Sequence, residues 1–439
     1  MGPQAHGLRG GLARVRTFRR PALRGGAASG ERKLMNLEMT YSLEILRARK
    51  LEHEITCRDV NGYFDHVWSV HPAVGSSPEH SPATAYGMPV TTPITTRHTM
   101  IEGKVSQFRW PAILAPVNFA ISQSVLVLQL LRLIRSQGVS IVRAGDPYYN
   151  GLLGLLLARL TGTPFVVRIN SNQDAIYEAT GDLAVPRLLR TREIERRVAR
   201  YVLRRADLVA AASENNLRFG VANGADPARS TVFRYGTWVD PLHFRDPPPD
   251  RASISAELGL EGRPWLVLVS RLEPVKHPED VLHAFAQARR RHPSLALVFV
   301  GDGTMRAELE SMSGELGVAD DVHFVGNRDQ IWIASALTSA TVVLSPLTGR
   351  ALVEGCLSGT PVVAYDVEWH SELVSTGETG VLVPYRDTDA MGEAAGDLVA
   401  DPAAAEVIGE KAREATLEMM DPGRLMEHER SEYEKLLRA

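Results

Sequence analysis

The sequence predicts an α/β fold built from two doubly wound domains that face each other across a cleft. From residue 264 onward, apolar strand segments alternate regularly with helical segments, and the residues before 244 repeat this pattern less cleanly. The proline-rich stretch FRDPPPDRAS, residues 244–253, separates the two regions. A length of 439 residues also favours two domains of roughly 200 residues over one core.

The strands of the C-terminal half are continuous apolar runs, which is typical of parallel strands buried on both faces. Helical segments lie between them, so right-handed crossovers and helices on both faces of the sheet are expected. The predicted strands are PWLVLVS, LALVFVG, VHFVG, TVVLS, PVVAY and GVLVP, and the predicted helices are PEDVLHAFAQARRR, residues 305–316, QIWIASAL and residues 352–357.

The N-terminal half has a strand near KLMNLEMTYS and further strands at HVWSVHP, VSIVRAGD, PFVVRIN and DLVAAAS. Its helices are GLLGLLLARL and EIERRVARYVLRRA. We therefore predict an N-terminal domain at 34–245, a second domain at 246–420, and an amphipathic helix at 421–439 that is able to pack back on the N-terminal domain.

Composition indicates an ordinary soluble enzyme. The net charge of −3 gives no reason to expect a nucleic-acid partner. Cys57 and Cys356 are far apart and lack a metal-binding spacing, so we expect core thiols and a reducing, cytoplasmic compartment. Residues 1–33 carry seven arginines and one acid, without the apolar stretch of a secretory signal. They are interpreted as a disordered tail, an early start codon, or a weak attachment to anionic lipid.

Residues 111–131 have no charged side chain over a length that could span a bilayer. They also contain two prolines, one Asn, two Ser and two Gln. A buried crossover helix is the favoured interpretation. The alternatives are a membrane span and a surface-dipping element around Trp110 and Phe119, at the cytoplasmic face of a membrane.

Polar residues and glycines follow three predicted strands of the C-terminal half. Arg271 and Lys276, in SRLEPVKHPED, form a pocket suited to a diphosphate. Gly301 and Gly303 allow a tight turn in which backbone N–H groups approach a ligand. Glu354 can accept two hydrogen bonds from the vicinal hydroxyls of a ribose, or stabilise its own helix.

These motifs, followed by SGTPVVAYD and ELVSTGETGVLV, resemble those of the retaining glycosyltransferases of family 4, which have the GT-B fold. The resemblance runs from about Leu266 to Leu382. It implies a nucleoside-diphosphate sugar donor, a glycan, glycolipid or small-molecule acceptor, and no cofactor. It further implies that Arg271 and Lys276 hold the diphosphate, that Glu354 holds the ribose, and that the anomeric configuration is retained.

The sequence departs from that family at one position. The family motif has two glutamates separated by seven residues, with a glycine in the loop between them. Glu354 and Gly349 match, but Pro346 stands where the first glutamate is expected. Arg350, in the same loop, is a candidate contact for an acidic sugar or a phosphate oxygen, or else faces solvent.

On the acceptor side, Asp146 is the catalytic candidate, with capping of the following helix as the alternative. Weaker candidates that end strands in the N-terminal half are Asn170, Asn172, His71, Glu38 and Tyr41.

We interpret Asp387 and Asp389 as helix-capping residues and expect metal-independent transfer. Three other functions stay open: a nucleotide-sugar epimerase, a phosphorylase, and a non-catalytic subunit that binds nucleotide sugars.

Overall fold

The computed structural model describes residues 30–38, 41–48, 51–75, 85–186, 188–245 and 252–438. The chain divides into a unit ending at Gly30 and a compact unit that extends from Glu31 to Ala439. Most of the predicted basic tail and the middle of the predicted linker lie outside the described residues. The following description concerns the compact unit.

The first sheet has eight strands in the order β3-β4-β2-β1-β5-β6-β7-β8. Every pairing is parallel except that of β3 with β4, so the other strands end at one edge of the sheet. Its strands are β1 Lys33–Leu37, β2 His66–Val74, β3 Val90–Pro93, β4 His98–Lys104, β5 Ile141–Ala144, β6 Phe165–Ile169, β7 Leu208–Ala211 and β8 Ser230–Val232. The helices of this half are α1 Leu43–Ala48, α2 His53–Thr56, α3 Ala115–Gln137, α4 Tyr149–Thr161, α5 Gln173–Thr180, α6 Arg192–Leu203 and α7 Glu214–Ala222.

The second sheet has six parallel strands in the order β11-β10-β9-β12-β13-β14. Apolar clusters lie on both of its faces, which is why its strands read as continuous apolar runs. Its strands are β9 Trp265–Val269, β10 Ala296–Val300, β11 Val322–Gly326, β12 Val342–Ser345, β13 Val362–Tyr365 and β14 Val381–Val383. The remaining helices are α8 Ala252–Leu258, α9 Pro278–Arg291, α10 Arg306–Glu315, α11 Gln330–Ser339, α12 Arg350–Leu357, α13 Thr388–Ala400, α14 Pro402–Met419 and α15 Pro422–Arg438.

These two sheets confirm the predicted fold class. Sequence patterning did not identify β3, β4 or β8, and β4 shows why. All seven of its residues are buried, yet it carries His98, Glu102 and Lys104. A strand whose interior positions are polar has neither an apolar run nor a clear alternation for the pattern to detect.

The C-terminal helix α15 packs against the first sheet. The Tyr433 ring is fully buried, with ring centroids 5.3 Å from Phe64 and 5.7 Å from Phe233. Its hydroxyl accepts a hydrogen bond from Arg143 at 2.8 Å and donates one to Glu429 at 2.7 Å. Arg143 and Glu429 also form a buried ion pair at 3.1 Å, so the last helix of the chain satisfies a charge in the middle of the N-terminal half.

We expect Tyr433→Ala to destabilise the protein by about 3–5 kcal/mol, because it empties a buried ring site and removes a partner of Arg143. The midpoint of urea unfolding followed by circular dichroism measures this loss. Lys435→Ala is the matched control, since its side chain is 69% exposed on the same helix. A Tyr433→Ala midpoint equal to that of the control contradicts the assignment of α15 to the core.

Candidate functional site

A cleft of about 640 Å³ lies between the carboxyl ends of the two sheets. Its lining comes from both halves of the chain, as expected where two parallel sheets face each other. The lining residues from the N-terminal half are Glu38, Leu51, His53, Glu54, Arg58, Gly145, Asp146, Asn150, Asn170, Tyr235, Trp238 and Asp240. Those from the C-terminal half are Val269, Ser270, Arg271, Lys276, Val300, Gly301, Asn327, Arg328, Asp329, Gln330, Ile333, Thr348, Gly349, Arg350, Ala351 and Glu354.

Arg271 and Lys276, the predicted diphosphate contacts, lie together in this cleft after β9. Arg271 Nη1 donates to the hydroxyl of Tyr41 from the other half, at 3.0 Å. Among the described residues, neither cation forms an ion pair with a carboxylate. Burial, and next the charge of Arg271, lower the pKa of Lys276 to about 8. Two adjacent cations, of which only Lys276 feels a described carboxylate, that of Glu368, favour binding of a ligand with at least two negative charges.

Gly301 lines the cleft, whereas Gly303 is outside the set of lining residues. Gly301 has φ of +132°, and a Cβ there would lie 1.9 Å from the carbonyl oxygen of Ser270. A Cβ on Gly303 would lie 2.4 Å from the carbonyl oxygen of Leu272. Both glycines therefore allow the loop after β10 to pack against the loop after β9, which carries the two cations.

Glu354 and Arg350, which α12 contributes, form part of an ionic chain that crosses the cleft. Arg350 Nε donates to Glu354 at 3.1 Å, and Arg350 Nη1 donates to Glu54 of α2 at 3.0 Å. Burial lowers the pKa of the Arg350 guanidinium, but Glu354 and Glu54 more than offset this and raise it overall. Arg350 is thus neither a solvent-facing residue nor an uncommitted cation. Glu354 is buried, and one of its carboxylate oxygens accepts the hydrogen bond from Arg350.

Pro346 is buried directly after β12 and is not among the cleft-lining residues. Gly349, three residues later, has φ of +66° and precedes the first residue of α12. The loop therefore reaches the cleft through Thr348, Gly349 and Arg350. Pro346, the position at which this loop differs from the family motif, is therefore buried at the start of the loop.

Asp146 lines the cleft, and its carboxylate accepts from backbone N–H groups in the first turn of α4, which is the capping considered as the alternative. Its Oδ1 also accepts from the backbone N–H of Tyr148 at 2.8 Å, and its Oδ2 accepts from the side chain of Asn150 at 2.5 Å. Burial raises the pKa of its carboxyl group despite these bonds. The bonds hold the aspartate in one orientation in the part of the cleft that the N-terminal half lines.

Of the weaker acceptor-side candidates, Glu38 and Asn170 line the cleft, whereas Asn172 and His71 are not among its lining residues. Asn172 accepts from the N–H of Ala175 at 3.2 Å and so caps α5. His71 is buried in β2, where its Nδ1 lies 2.8 Å from the carbonyl oxygen of Tyr41, and burial lowers its pKa to about 4. Asn172 and His71 have local structural partners instead of cleft-facing positions.

Sequence reasoning missed the contribution of the short helical segment after residue 51. His53, Glu54 and Arg58 all line the cleft. Arg58 Nε donates to Glu38 at 2.8 Å, and its guanidinium lies 4.1 Å from the ring centroid of Trp238. No motif marks this segment, because tertiary packing rather than local pattern brings it to the cleft.

The sequence also gave no indication of Glu368. It follows β13, has a left-handed φ of 51°, and has one carboxylate oxygen that is buried without a hydrogen-bond partner. The backbone N–H of Asn172 hydrogen-bonds its carboxylate. Burial raises its pKa to about 7, and the charge of Lys276 opposes that rise. Few residues with side chains adopt the left-handed backbone conformation of Glu368, and the periodicity of the sequence does not indicate where such a conformation occurs.

His277, Glu279 and Asp280 form a cluster whose ligand-type atoms lie within 4.8 Å of one another. The guanidinium of Arg386 occupies this cluster, donating to Glu279 at 2.7 Å and lying 3.1 Å from Asp280. Next in the chain, Asp387 accepts from the N–H of Ala390 at 2.9 Å and caps α13 as expected. The guanidinium of Arg386 therefore balances the charges of Glu279 and Asp280.

Both halves of the chain match known families. Residues 250–415 match the family model described as glycosyl transferases group 1. Residues 41–236 match the model of a glycosyl transferase 4-like domain.

Among curated proteins, the chain is 33% identical over 237 residues to a GDP-mannose-dependent α-(1-6)-phosphatidylinositol monomannoside mannosyltransferase of Mycolicibacterium smegmatis. That match covers 50% of this chain and 61% of the relative. The chain is also 34% identical over 201 residues to the D-inositol 3-phosphate glycosyltransferase of Nocardia farcinica. This second match covers 41% of the chain and 45% of the relative. The chain thus spans less than two thirds of the length of these relatives.

Solved structures match over nearly the whole chain. Anabaena HepE in complex with UDP and glucose gives a TM-score of 0.68 at 18% identity, covering 91% of this chain and 98% of that one. The sucrose-phosphate synthase of Thermosynechococcus elongatus gives a TM-score of 0.71 at 19% identity, covering 92% of this chain and 99% of that one. At these identities the matches establish the fold alone.

The lowered pKa of Lys276 predicts that affinity for UDP or GDP falls as pH rises. Lys276 is charged below about pH 8 and loses its proton above it, so we expect binding at roughly pH 9.5 to be about tenfold weaker than at pH 7.5. Isothermal titration calorimetry across this range measures the change.

Lys276→Arg is the control, because a guanidinium keeps its charge throughout this range and should give a flat profile. Parallel profiles for the wild type and Lys276→Arg contradict a contact between Lys276 and the diphosphate.

Proposed function

The chain belongs to the glycosyltransferases of group 1 and has the GT-B fold, and we propose that it transfers a sugar from a nucleoside-diphosphate donor to an acceptor held by the N-terminal half. The observation that carries this proposal is the placement of Arg271 and Lys276. Both face the cleft at the carboxyl edge of the second sheet, without an ion pair to any described carboxylate. The family relationship makes a nucleotide sugar the natural ligand for them.

The proposed chemistry follows from charge development. Breaking a glycosyl–diphosphate bond creates positive charge on the sugar and negative charge on the leaving diphosphate. Cations fixed beside the diphosphate stabilise that transition state more than the ground state. Arg271 and Lys276 are held for this purpose in a partly buried cleft, where their charges act more strongly than in water.

We propose that Glu354 binds the ribose of the donor. One of its oxygens accepts from Arg350, and vicinal hydroxyls can donate to the carboxylate from the cleft side. Because Arg350 is paired with Glu54 and Glu354, we assign it to organising this site instead of binding an acidic donor sugar.

Retention of the anomeric configuration and transfer without a metal ion are parts of the same proposal. In a front-face attack the departing phosphate oxygen takes the proton of the acceptor hydroxyl, so no dedicated base is needed. The two cations supply the charge that a metal would otherwise provide. Asp146, which its hydrogen bonds at the start of α4 hold in place, then orients the acceptor across the cleft.

We propose a glycan or lipid-linked acceptor, in keeping with the named substrate of the mycobacterial relative, and action on the cytoplasmic side of a membrane. The cysteines support a reducing compartment, because both are free thiols and Cys356 is fully buried. Burial raises the pKa of Cys356 to about 12, which leaves it unreactive.

We expect Arg271→Ala to lower kcat by about 100-fold or more, because it removes a cation from the leaving diphosphate and also removes the hydrogen bond to the Tyr41 hydroxyl. Initial rates with the UDP- or GDP-sugar that supports turnover measure this loss. Arg291→Ala is the control, because this arginine is 49% exposed and paired with Asp397 away from the cleft. Wild-type rates in Arg271→Ala would refute the assignment.

A second candidate is a subunit that binds nucleotide sugars without turnover. The observation that favours it is Pro346, which replaces a glutamate of the family motif. On this hypothesis the donor binds the wild-type protein, but no sugar is transferred to any acceptor.

Pro346→Glu distinguishes the two functions. If the loop is a remodelled active site, we expect turnover to fall about tenfold or more, because a carboxylate would enter a buried position while the nearby Arg350 is already paired. Pro402→Glu, an exposed proline at the start of α14, controls for the chemical change. An inactive wild type that gains transfer with Pro346→Glu would favour the binding subunit instead.

A further inference from the structure

An exposed apolar surface lies where the chain leaves β4 and enters α3. We call the apolar rim the set Phe108, Trp110, Ile113, Leu114 and Val117. All five side chains are exposed, and Ile113 is exposed to 86%. Scattered exposed apolar residues are ordinary, but five within ten residues of the chain are a local concentration that suggests a partner.

The apolar rim is held in a defined shape. The Phe108 and Trp110 rings stack with centroids 4.9 Å apart. Asn118 of α3 accepts from the backbone N–H groups of Gln107 at 2.8 Å and Phe108 at 3.0 Å, and donates to the carbonyl oxygen of Phe108 at 2.6 Å. A buried side chain with three bonds to one loop fixes how these aromatic rings are presented.

The segment that carries the apolar rim has an exposed cation and no exposed acid. Glu102 is the only acidic residue between 85 and 145, and it is buried. Arg109 is exposed between Phe108 and Trp110. Exposed Trp and aliphatic side chains beside an arginine suit the interface of an anionic bilayer.

Helix α3 itself is part of the folded core. The segment Ala112–Gln137 is long and apolar enough to cross a membrane by length and composition, with 28% of its most apolar window buried. However, Leu126, Leu130 and Ile134 pack into the core of the first sheet. Ser122 also donates to the carbonyl oxygen of Lys104 at 2.7 Å. A spanning orientation would break these contacts, so α3 is the crossover helix that the sequence favoured.

The apolar rim opens at the same edge of the first sheet as the cleft. Because β4 is parallel to β2, β1 and β5, its carboxyl end lies on the edge where Asp146 follows β5. Gln123 of α3 bonds the carbonyl oxygens of Pro72 and Lys104, and it accepts from the hydroxyl of Tyr149 in α4. The loop that carries the rim is thereby connected to the helix that Asp146 caps.

We propose that the apolar rim docks the protein on an anionic lipid bilayer, with Trp110 and Ile113 entering the interface and Arg109 contacting lipid phosphates. Charge complementarity favours an anionic bilayer over a second copy of this chain, whose rim would bring a second Arg109 to the same surface. Docking at this edge places the acceptor side of the cleft near the membrane. The attachment stands independently of catalysis, whereas a lipid-linked acceptor rests on the proposed function.

Flotation of the full chain with phosphatidylglycerol–phosphatidylcholine vesicles, compared with vesicles of phosphatidylcholine alone, tests this attachment. We expect the wild type to float with the anionic vesicles, more weakly at high salt. Trp110→Ser combined with Ile113→Ser should weaken the partition coefficient about tenfold or more, because two exposed apolar anchors are lost.

The matched control combines Val407→Ser with Leu316→Ser, two exposed apolar residues of the C-terminal half. All three proteins keep residues 1–33, so any attachment through that basic segment is common to them. UDP and GDP binding in solution should be equal in all three, which separates failure of the donor site from failure of docking.

Two results would overturn the proposal. One is equal flotation of the rim variant and the control. The other is a wild-type dimer that the rim substitutions convert to a monomer without changing flotation, which would assign the rim to a second copy of the chain.

Discussion

Two cations that form no ion pair with a described carboxylate determine the properties of the cleft. Burial of Lys276, and next its repulsion by Arg271, lower the pKa of Lys276, and the charge of Glu368 opposes this only in part. The fold places the two cations together because both follow the same strand, and Gly301 permits the neighbouring loop to approach the backbone that supports them. A ligand with two negative charges removes the repulsion and so complements the charge of the cleft.

The two halves of the chain meet in and beside this cleft through polar contacts at specific atoms. Tyr41 contacts Arg271, and Glu54 contacts Arg350. Outside the set of cleft-lining residues, Glu372 accepts from Arg234 at 2.7 Å and from the N–H of Asn215 at 2.8 Å. Since groups of one half are held by groups of the other, a ligand bound to one half is expected to alter the position of the other half.

The sequence was sufficient for the second sheet and for six of the sixteen residues with which the C-terminal half lines the cleft. Strands buried on both faces are apolar throughout, and Arg271, Gly301 and Glu354 follow them at positions where ligands bind in such sheets. The acceptor side was less predictable. Glu54 reaches the cleft only through tertiary packing, so its partnership with Arg350 could not be inferred from spacing.

A comparison of Pro346 with Glu368 shows how acidic charge is distributed at this edge of the second sheet. The acid that the family motif places after β12 is replaced by a buried proline, whereas a carboxylate follows β13, the adjacent strand. Glu368 holds a left-handed backbone conformation that costs about 1–3 kcal/mol, so the surrounding contacts must outweigh that strain. It is not among the cleft-lining residues, and its charge acts on Lys276. Because burial raises its pKa to about 7, this carboxylate gains its charge near neutral pH and then supports the protonated form of Lys276. A carboxylate thus acts on Lys276 from the loop after β13, whereas the family motif has its first glutamate in the loop after β12.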